Sequence, residues 1–195
     1  MKFTKLPENT FEELQLNAGI LLSTFTPASA SVDDANILGA TSGGVSFTDT
    51  PTYQDFGDDI DNCPKNTKEL KRIESRDIKI SGTFLTVNTT RAKSLIAAAD
   101  IDSQDETKIT PRDTLATADF SDIWWVGDYS DKNGATNGGY IAIHLKDALS
   151  TGGFSIQSGD KAKGQFAFEY TAHYSINNTD AVPYEIYIKS GTAEA

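Results

Sequence analysis

The sequence predicts a mainly β protein: one compact domain with a single short packed α-helix and extended appendages. Three observations predict it. Period-two alternation recurs along the chain, one stretch alone has helical character, and two neighbouring segments carry polar residues on both faces. At 195 residues the chain is one domain's worth, long enough to bury a core without disulfides or a structural metal.

Along the chain, LQLNAGILLSTF (14–25) and VSFTDTPTYQDF (45–56) read as extended, as does KELKRIESRDIKISGTFLTV (68–87). The last two differ from the other strands. In the second of them Lys71, Ser75, Asp77 and Lys79 lie to one side of Ile73, and Arg72, Glu74 and Arg76 to the other. A strand with two polar faces has no core to lie against within its own subunit. It is an exposed ribbon or finds its cover in an oligomer.

The helix is expected within TTRAKSLIAAADI (89–101), with Thr89 or Thr90 as N-cap and Leu95, Ile96 and Ala99 on one apolar stripe. Four strands are expected beyond residue 120, and 121–129, 138–147 and 184–189 among them read as half-buried. SDIWWVGDY (121–129) forms a hairpin with GGYIAIHLKD (138–147) through a Gly-, Asn- and Asp-rich tip, with Ile141, Ile143 and Leu145 sharing a face. YEIYIK (184–189) places Tyr184, Ile186 and Ile188 together. The clearest strand is GQFAFEYTAHYSI (164–176), where Phe166, Phe168, Tyr170, Ala172, Tyr174 and Ile176 form one face.

Composition narrows the chemistry. Net charge is −11, which disfavours tight sequence-independent nucleic-acid binding because that rests on Lys and Arg neutralising phosphates. One cysteine, Cys63, and two histidines, His144 and His173, leave no internal disulfide, thiolate zinc site or histidine-rich metal centre. No segment has the apolar length of a membrane helix, and MKFTKLPENTFEEL lacks the apolar run of a secretion signal. Synthesis and assembly are therefore expected in a cytoplasm, where the sequons at Asn88 and Asn177 carry no meaning.

Catalytic motifs are missing. Nucleophile-elbow, phosphate-loop, dinucleotide-binding and zinc-protease patterns do not occur. Cys63 sits among aspartates that oppose a thiolate, and His173 has no acid or nucleophile near it in the sequence. The acidic loop 100–106 has Asp105 where a calcium loop of EF-hand type needs glycine, and in DYSDKNG, with Gly134 at that glycine, the first ligand position falls on Tyr129. No catalytic, cofactor or metal site is expected. Trp124 and Trp125, with Asp122 or Asp128 nearby, leave a glycan-binding or virion-decoration module as the alternative reading.

Charge is segregated. Asp49, Asp55, Asp58, Asp59 and Asp61 occur with no base between them, and Lys65, Lys68, Lys71, Arg72, Arg76 and Lys79 then outnumber Glu69, Glu74 and Asp77. Either the two arms of a hairpin neutralise each other across strands, or opposite ends of the subunit attract and copies stack head to tail.

In order and length these features resemble the tail tube (major tail) proteins of long-tailed bacteriophages. Ile37, Leu38, Gly39, Ala40, Thr41, Gly43, Gly44 and Phe47 are similar to the segment leading into that family's first tube-lining strand. Lys68, Leu70, Lys71, Arg72 and Ile73 resemble the start of the second. Beyond residue 100 the strand pattern alone carries the likeness. The resemblance implies a β-sandwich or barrel core with one short flanking α-helix and a long extended hairpin and loop used in oligomerisation, six subunits per ring, rings stacked into a hollow tube, and passage of DNA through it into the host. Implied partners are the chain itself, the tape measure protein, the tail terminator and tail-tip proteins, and DNA passing without tight binding. The implied location is the virion. It implies a single domain, 1–195, with an N-terminal arm 1–16 and a C-terminal tail 190–195 that order on assembly, and a hairpin loop 57–67 that reaches the adjacent ring. Expected lumen residues are Asp49, Asp55, Glu69 and Glu74. Asp58, Asp59, Asp61, Lys65, Lys68, Lys71 and Arg72 are expected at contacts between subunits or rings.

Overall fold

Alternation decides which side chains enter the core. In β8 (Phe166–Thr171) Phe166, Phe168 and Tyr170 are buried while Ala167 faces solvent. The computed structural model describes residues 5–130 and 138–192. Within them the other strands are β1 (Gln15–Leu22), β2 (Thr41–Asp55), β3 (Lys71–Phe84), β4 (Ala99–Ile101), β5 (Ile109–Pro111), β6 (Ser121–Tyr129), β7 (Gly139–Ser150) and β9 (Tyr184–Lys189). The α-helix α1 (Thr89–Ile96) is joined by three short 3-10 turns. The protein is mainly β with one short helix, as the alternation predicts.

Seven strands form one antiparallel sheet in the order β1-β6-β7-β8-β3-β2, with β9 also pairing β7, and β4 and β5 form a separate ribbon. The sheet forks at β7. Residues 140–145 pair with β9, and Leu149 and Ser150 then pair with β8. A bulge opposite Asp122 turns the strand between these partners: Asp147 adopts φ +46° and donates its N–H to Asp122 Oδ1 at 3.1 Å. The sheet curls into a half-barrel around this corner.

Two apolar clusters lie on opposite faces of β6 and β7. The larger joins Leu21, Ile78, Ile80, Phe84, Ile123, Leu145, Phe168 and Tyr170, with Leu95 of α1 closing it. Each such fully buried side chain contributes about 1.5–3 kcal/mol. The smaller joins Leu22, Phe25, Trp124, Val126, Tyr140 and Ala142. Segment 23–38 covers it: Phe25 packs against Trp124 and Tyr140, and the Tyr140 hydroxyl donates to the Pro27 carbonyl at 2.7 Å. At Gly19, φ is +68° and an added Cβ would stand 2.6 Å from the Trp125 indole nitrogen, so the bulge in β1 requires glycine.

Several expectations need correction. β7 is covered on both faces, because segment 23–38 covers the side opposite the main core. The clearest predicted strand ends at Thr171: its pairing with β3 stops at Lys79, and Tyr174 and Ile176 are exposed. In β9 only Tyr184 reaches the main core; Ile186 and Ile188 are exposed, and Tyr187 packs on the smaller cluster. The helix is capped by Asn88, whose side chain accepts from Arg91 N, and not by Thr89 or Thr90. Ala99 lies outside the helix, in β4, because Ala97 at φ +71° has already ended it. Nor is β3 polar throughout, since Ile78, Ile80 and Phe84 lie in the main core. Only its first half lacks cover.

Of the expected arm 1–16, Gln15 and Leu16 belong to β1, residues 5–14 expose Leu6 and Phe11, and residues 1–4 lie outside the described residues. Of the tail 190–195, residues 190–192 follow β9 without regular structure, and 193–195 lie outside the description, as does 131–137 of the predicted hairpin tip. Among the described residues no helix is long and apolar enough to cross a membrane.

Candidate functional site

β2 and β3 pair continuously from Thr41↔Phe84 to Asp55↔Lys71, apart from two bulges. The first bulge follows Ser42, where Gly43 and Gly44 take φ +77° and +83° with open space around both. β8 covers only Lys79–Phe84 of β3, and β2 has no second neighbour among the described residues. The outer half is thus a two-stranded ribbon projecting beyond the core.

Cross-strand register sorts its side chains. Ser46, Thr48, Thr50, Thr52 and Gln54 stand opposite Ser81, Lys79, Asp77, Ser75 and Arg72. This face is polar along its whole length, and its charges are largely matched: Lys79 lies 3.0 Å from Asp77 and 3.7 Å from Glu169 on β8. The other face carries Phe47, Asp49, Pro51 and Tyr53 opposite Ile80, Ile78, Arg76 and Ile73.

That second face begins in the core and runs out of it. Phe47 packs against Tyr184, with ring centroids 5.3 Å apart. Farther along, Tyr53 is 53% exposed and Ile73 48%, and Phe56 and Ile60 beyond them are 53% and 50% exposed. Tyr53 and Ile73, opposite each other in the ladder, form an exposed apolar pair on this face, and Phe56 and Ile60 add further exposed apolar side chains at the ribbon's end. Sequence periodicity missed it for a physical reason. Glu74 is an extra residue between Ser75 and Ile73 in the ladder, so Ile73 changes face and joins Tyr53.

The expected lumen residues do not share a face. Asp49 stands on the core side, where its Oδ2 accepts from Arg76 and from the Tyr184 hydroxyl at 2.9 Å. Its Oδ1 is buried without a partner. Asp55 accepts N–H groups from Gly57 at 3.0 Å and Asn66 at 2.7 Å, which hold its carboxyl below the ordinary range. It closes the loop. Glu69 is exposed and lies 3.4 Å from Lys68, and Glu74 is the exposed bulge residue.

The residues expected at subunit contacts cluster at the ribbon's end. Asp58, Asp59, Asp61 and Lys65 are exposed and make no ion pair among the described residues. Lys71 Nζ donates to Asn66 Oδ1 at 3.0 Å and lies 5.0 Å from the Tyr53 ring centre. Arg72 donates to the carbonyls of Glu69 and Lys71, both at 2.9 Å. One ion pair, Asp49 with Arg76, joins the two arms of the ribbon. Neutralisation across strands therefore leaves the charged tip unmatched.

The other candidates have local structural partners. Trp124 is buried, stacked on His144 at 3.9 Å, and Trp125 donates to the Ala18 carbonyl at 3.1 Å. Asp122 lies 2.9 Å from His144 Nε2, and Asp128 accepts from Asn17 at 2.7 Å. His173 Nδ1 is 3.2 Å from the Asp147 carbonyl, and Cys63 Sγ is 3.5 Å from Thr67 Oγ1. In the 100–106 loop Asp102 and Asp105 accept from the backbone of Gln104 and Thr107. Among the described residues no group of His, Cys, Asp and Glu converges on a metal position.

No protein-family model matches the chain, and no curated protein matches it.

Proposed function

We propose that this chain is a self-assembling structural protein of a phage tail, whose copies form six-membered rings that stack into the hollow tube through which DNA passes into the host. The observation that carries this reading is the ribbon of β2 and β3, apolar on one face, polar on the other and open at its edge. An exposed strand edge and an uncovered apolar face are both liabilities for an isolated protein. A second copy laid against the ribbon would relieve both at once and extend the sheet from subunit to subunit toward a closed barrel.

The polar face then becomes the channel wall. Its hydroxyls from Ser46, Thr48, Thr50, Thr52, Ser75 and Ser81 stay hydrated, and its internally matched charges offer a polyanion little net attraction. This reading replaces Asp49 and Asp55 as lumen residues, since one holds the ribbon's root and the other its loop. Asp58, Asp59, Asp61, Lys65 and Lys68 keep their proposed role at contacts between copies. Tape measure, terminator and tip proteins would meet the tube at its ends or inside it, and no catalytic step is required.

Negative-stain electron microscopy over a concentration series, with sedimentation alongside, tests the proposal. Rings or tubes with a central channel are expected. Asp58→Lys and Lys68→Glu should each disrupt them, and the double change should restore them if the two positions meet between copies. A protein that stays monomeric at high concentration and in the presence of its tail partners overturns the reading.

A further inference from the structure

A cleft of about 320 Å³ opens between α1 and segment 23–38, away from the ribbon. Arg91 is its one charged lining residue. Of the four arginines, Arg76 and Arg112 pair with aspartates and Arg72 is exposed, whereas Arg91 is half-buried and forms no ion pair among the described residues. Its Nη1 donates to the Thr86 carbonyl at 3.2 Å, and its guanidinium lies 5.2 Å from the Phe84 ring centre. Nε is buried and has no acceptor among the described residues. Burial lowers the pKa of this group, and no carboxylate contributes to offset it. Arginine does not lose its proton in proteins, so the charge stays in the cleft with the neutral partners Thr86 and Phe84.

The remaining walls suit a small organic anion. Asn36 brings an amide whose Oδ1 lies 3.5 Å from the Ser23 hydroxyl, Tyr170 a phenol paired with Ser94 at 3.1 Å, and Ile37 and Leu38 supply apolar surface. A single guanidinium with neutral donors matches one negative charge, whereas a phosphate dianion calls for more positive charge or a backbone cradle. We infer that the cleft beside Arg91 binds a small monoanionic carboxylate, its oxygens directed to Arg91 and to the Asn36 amide N–H.

Saturation-transfer NMR of the acetate methyl group, run on the full chain at constant ionic strength, tests it and works for monomers and tubes alike. Saturable transfer is expected, about tenfold or more weaker in Arg91→Met, the loss of a hydrogen bond to a charged group. Asn36→Asp, nearly isosteric, places a carboxylate in the cleft and should abolish transfer while the fold persists; this variant decides the matter if Arg91→Met does not fold. Three results overturn the inference: no saturable transfer to the native protein, transfer undiminished in Asn36→Asp, or displacement of acetate by inorganic phosphate at far lower concentration than by formate.

Discussion

The Tyr184 hydroxyl donates to Asp49 Oδ2 at 2.9 Å, fastening the last strand to the root of the ribbon. The same oxygen receives Arg76, so one carboxylate joins β2, β3 and β9. Asp49 and Arg76 side chains are 13% and 23% exposed, which keeps the pair from full solvent screening. Tyr184→Phe should lower unfolding stability by about 1–2 kcal/mol, the loss of a hydrogen bond to a charged group. Asp49→Ala should cost about 3 kcal/mol, because it strands Arg76 as well. In urea unfolding the double variant should lose less than the sum of the two, since both changes break one network.

The apolar end of the ribbon separates stability from assembly. Tyr53 and Ile73 face each other across the ladder and are about half exposed, so neither supports the folded monomer strongly. Tyr53→Glu or Ile73→Glu should change monomer stability by no more than about 0.5 kcal/mol. Either should prevent rings or tubes in electron micrographs, because the charge would be buried against the neighbouring copy. A large drop in melting temperature would mean that the patch is covered within the chain.

Much of this architecture was legible in the sequence. Strict alternation in 166–171 needed only period two, and the charge on both sides of Ile73 announced a strand leaving its core. What escaped was set by long-range partners or by irregular backbone. Burial of both faces of β7 depends on Phe25 and Pro27 arriving from more than a hundred residues away. The ribbon's apolar face depends on one bulge residue, Glu74, and register cannot be counted through a bulge that is not seen. Asp49 and Asp55 were legible as charges, but not as the carboxylates that hold the ribbon's root and its loop.

Alkaline pH should loosen the protein through its tyrosines. Tyr170 is buried beside Ser94, and burial raises its pKa above the ordinary value near 10; Tyr184 is raised first by its hydrogen bond to Asp49. A raised folded-state pKa gives stability that is complete below the unfolded value and is lost as pH rises through the folded one. Urea stability should therefore be level below about pH 9.5 and fall steadily above about pH 10. Absorbance at 295 nm checks the cause: these phenols should ionise together with unfolding, later than exposed tyrosines. In Tyr184→Phe the alkaline fall should be shallower.

The loop at the ribbon's end should respond to acid through Asp55. Its carboxylate accepts the N–H groups of Gly57 and Asn66, and those bonds hold its pKa down. A lowered folded-state pKa gives stability present above the unfolded value and lost as pH falls through the folded one. Order in residues 56–70 should thus be constant from about pH 8 to pH 5 and decline below about pH 4. Hydrogen exchange at Gly57 and Asn66 reports it directly, with protection fading over that acidic window. Asp55→Ala should give the unprotected pattern at every pH and should speed tryptic cleavage after Lys65 and Lys68, while exchange in β7 and β8 stays slow. If Asp55→Ala leaves Gly57 and Asn66 protected, other bonds hold the loop, such as that from Lys71 to Asn66.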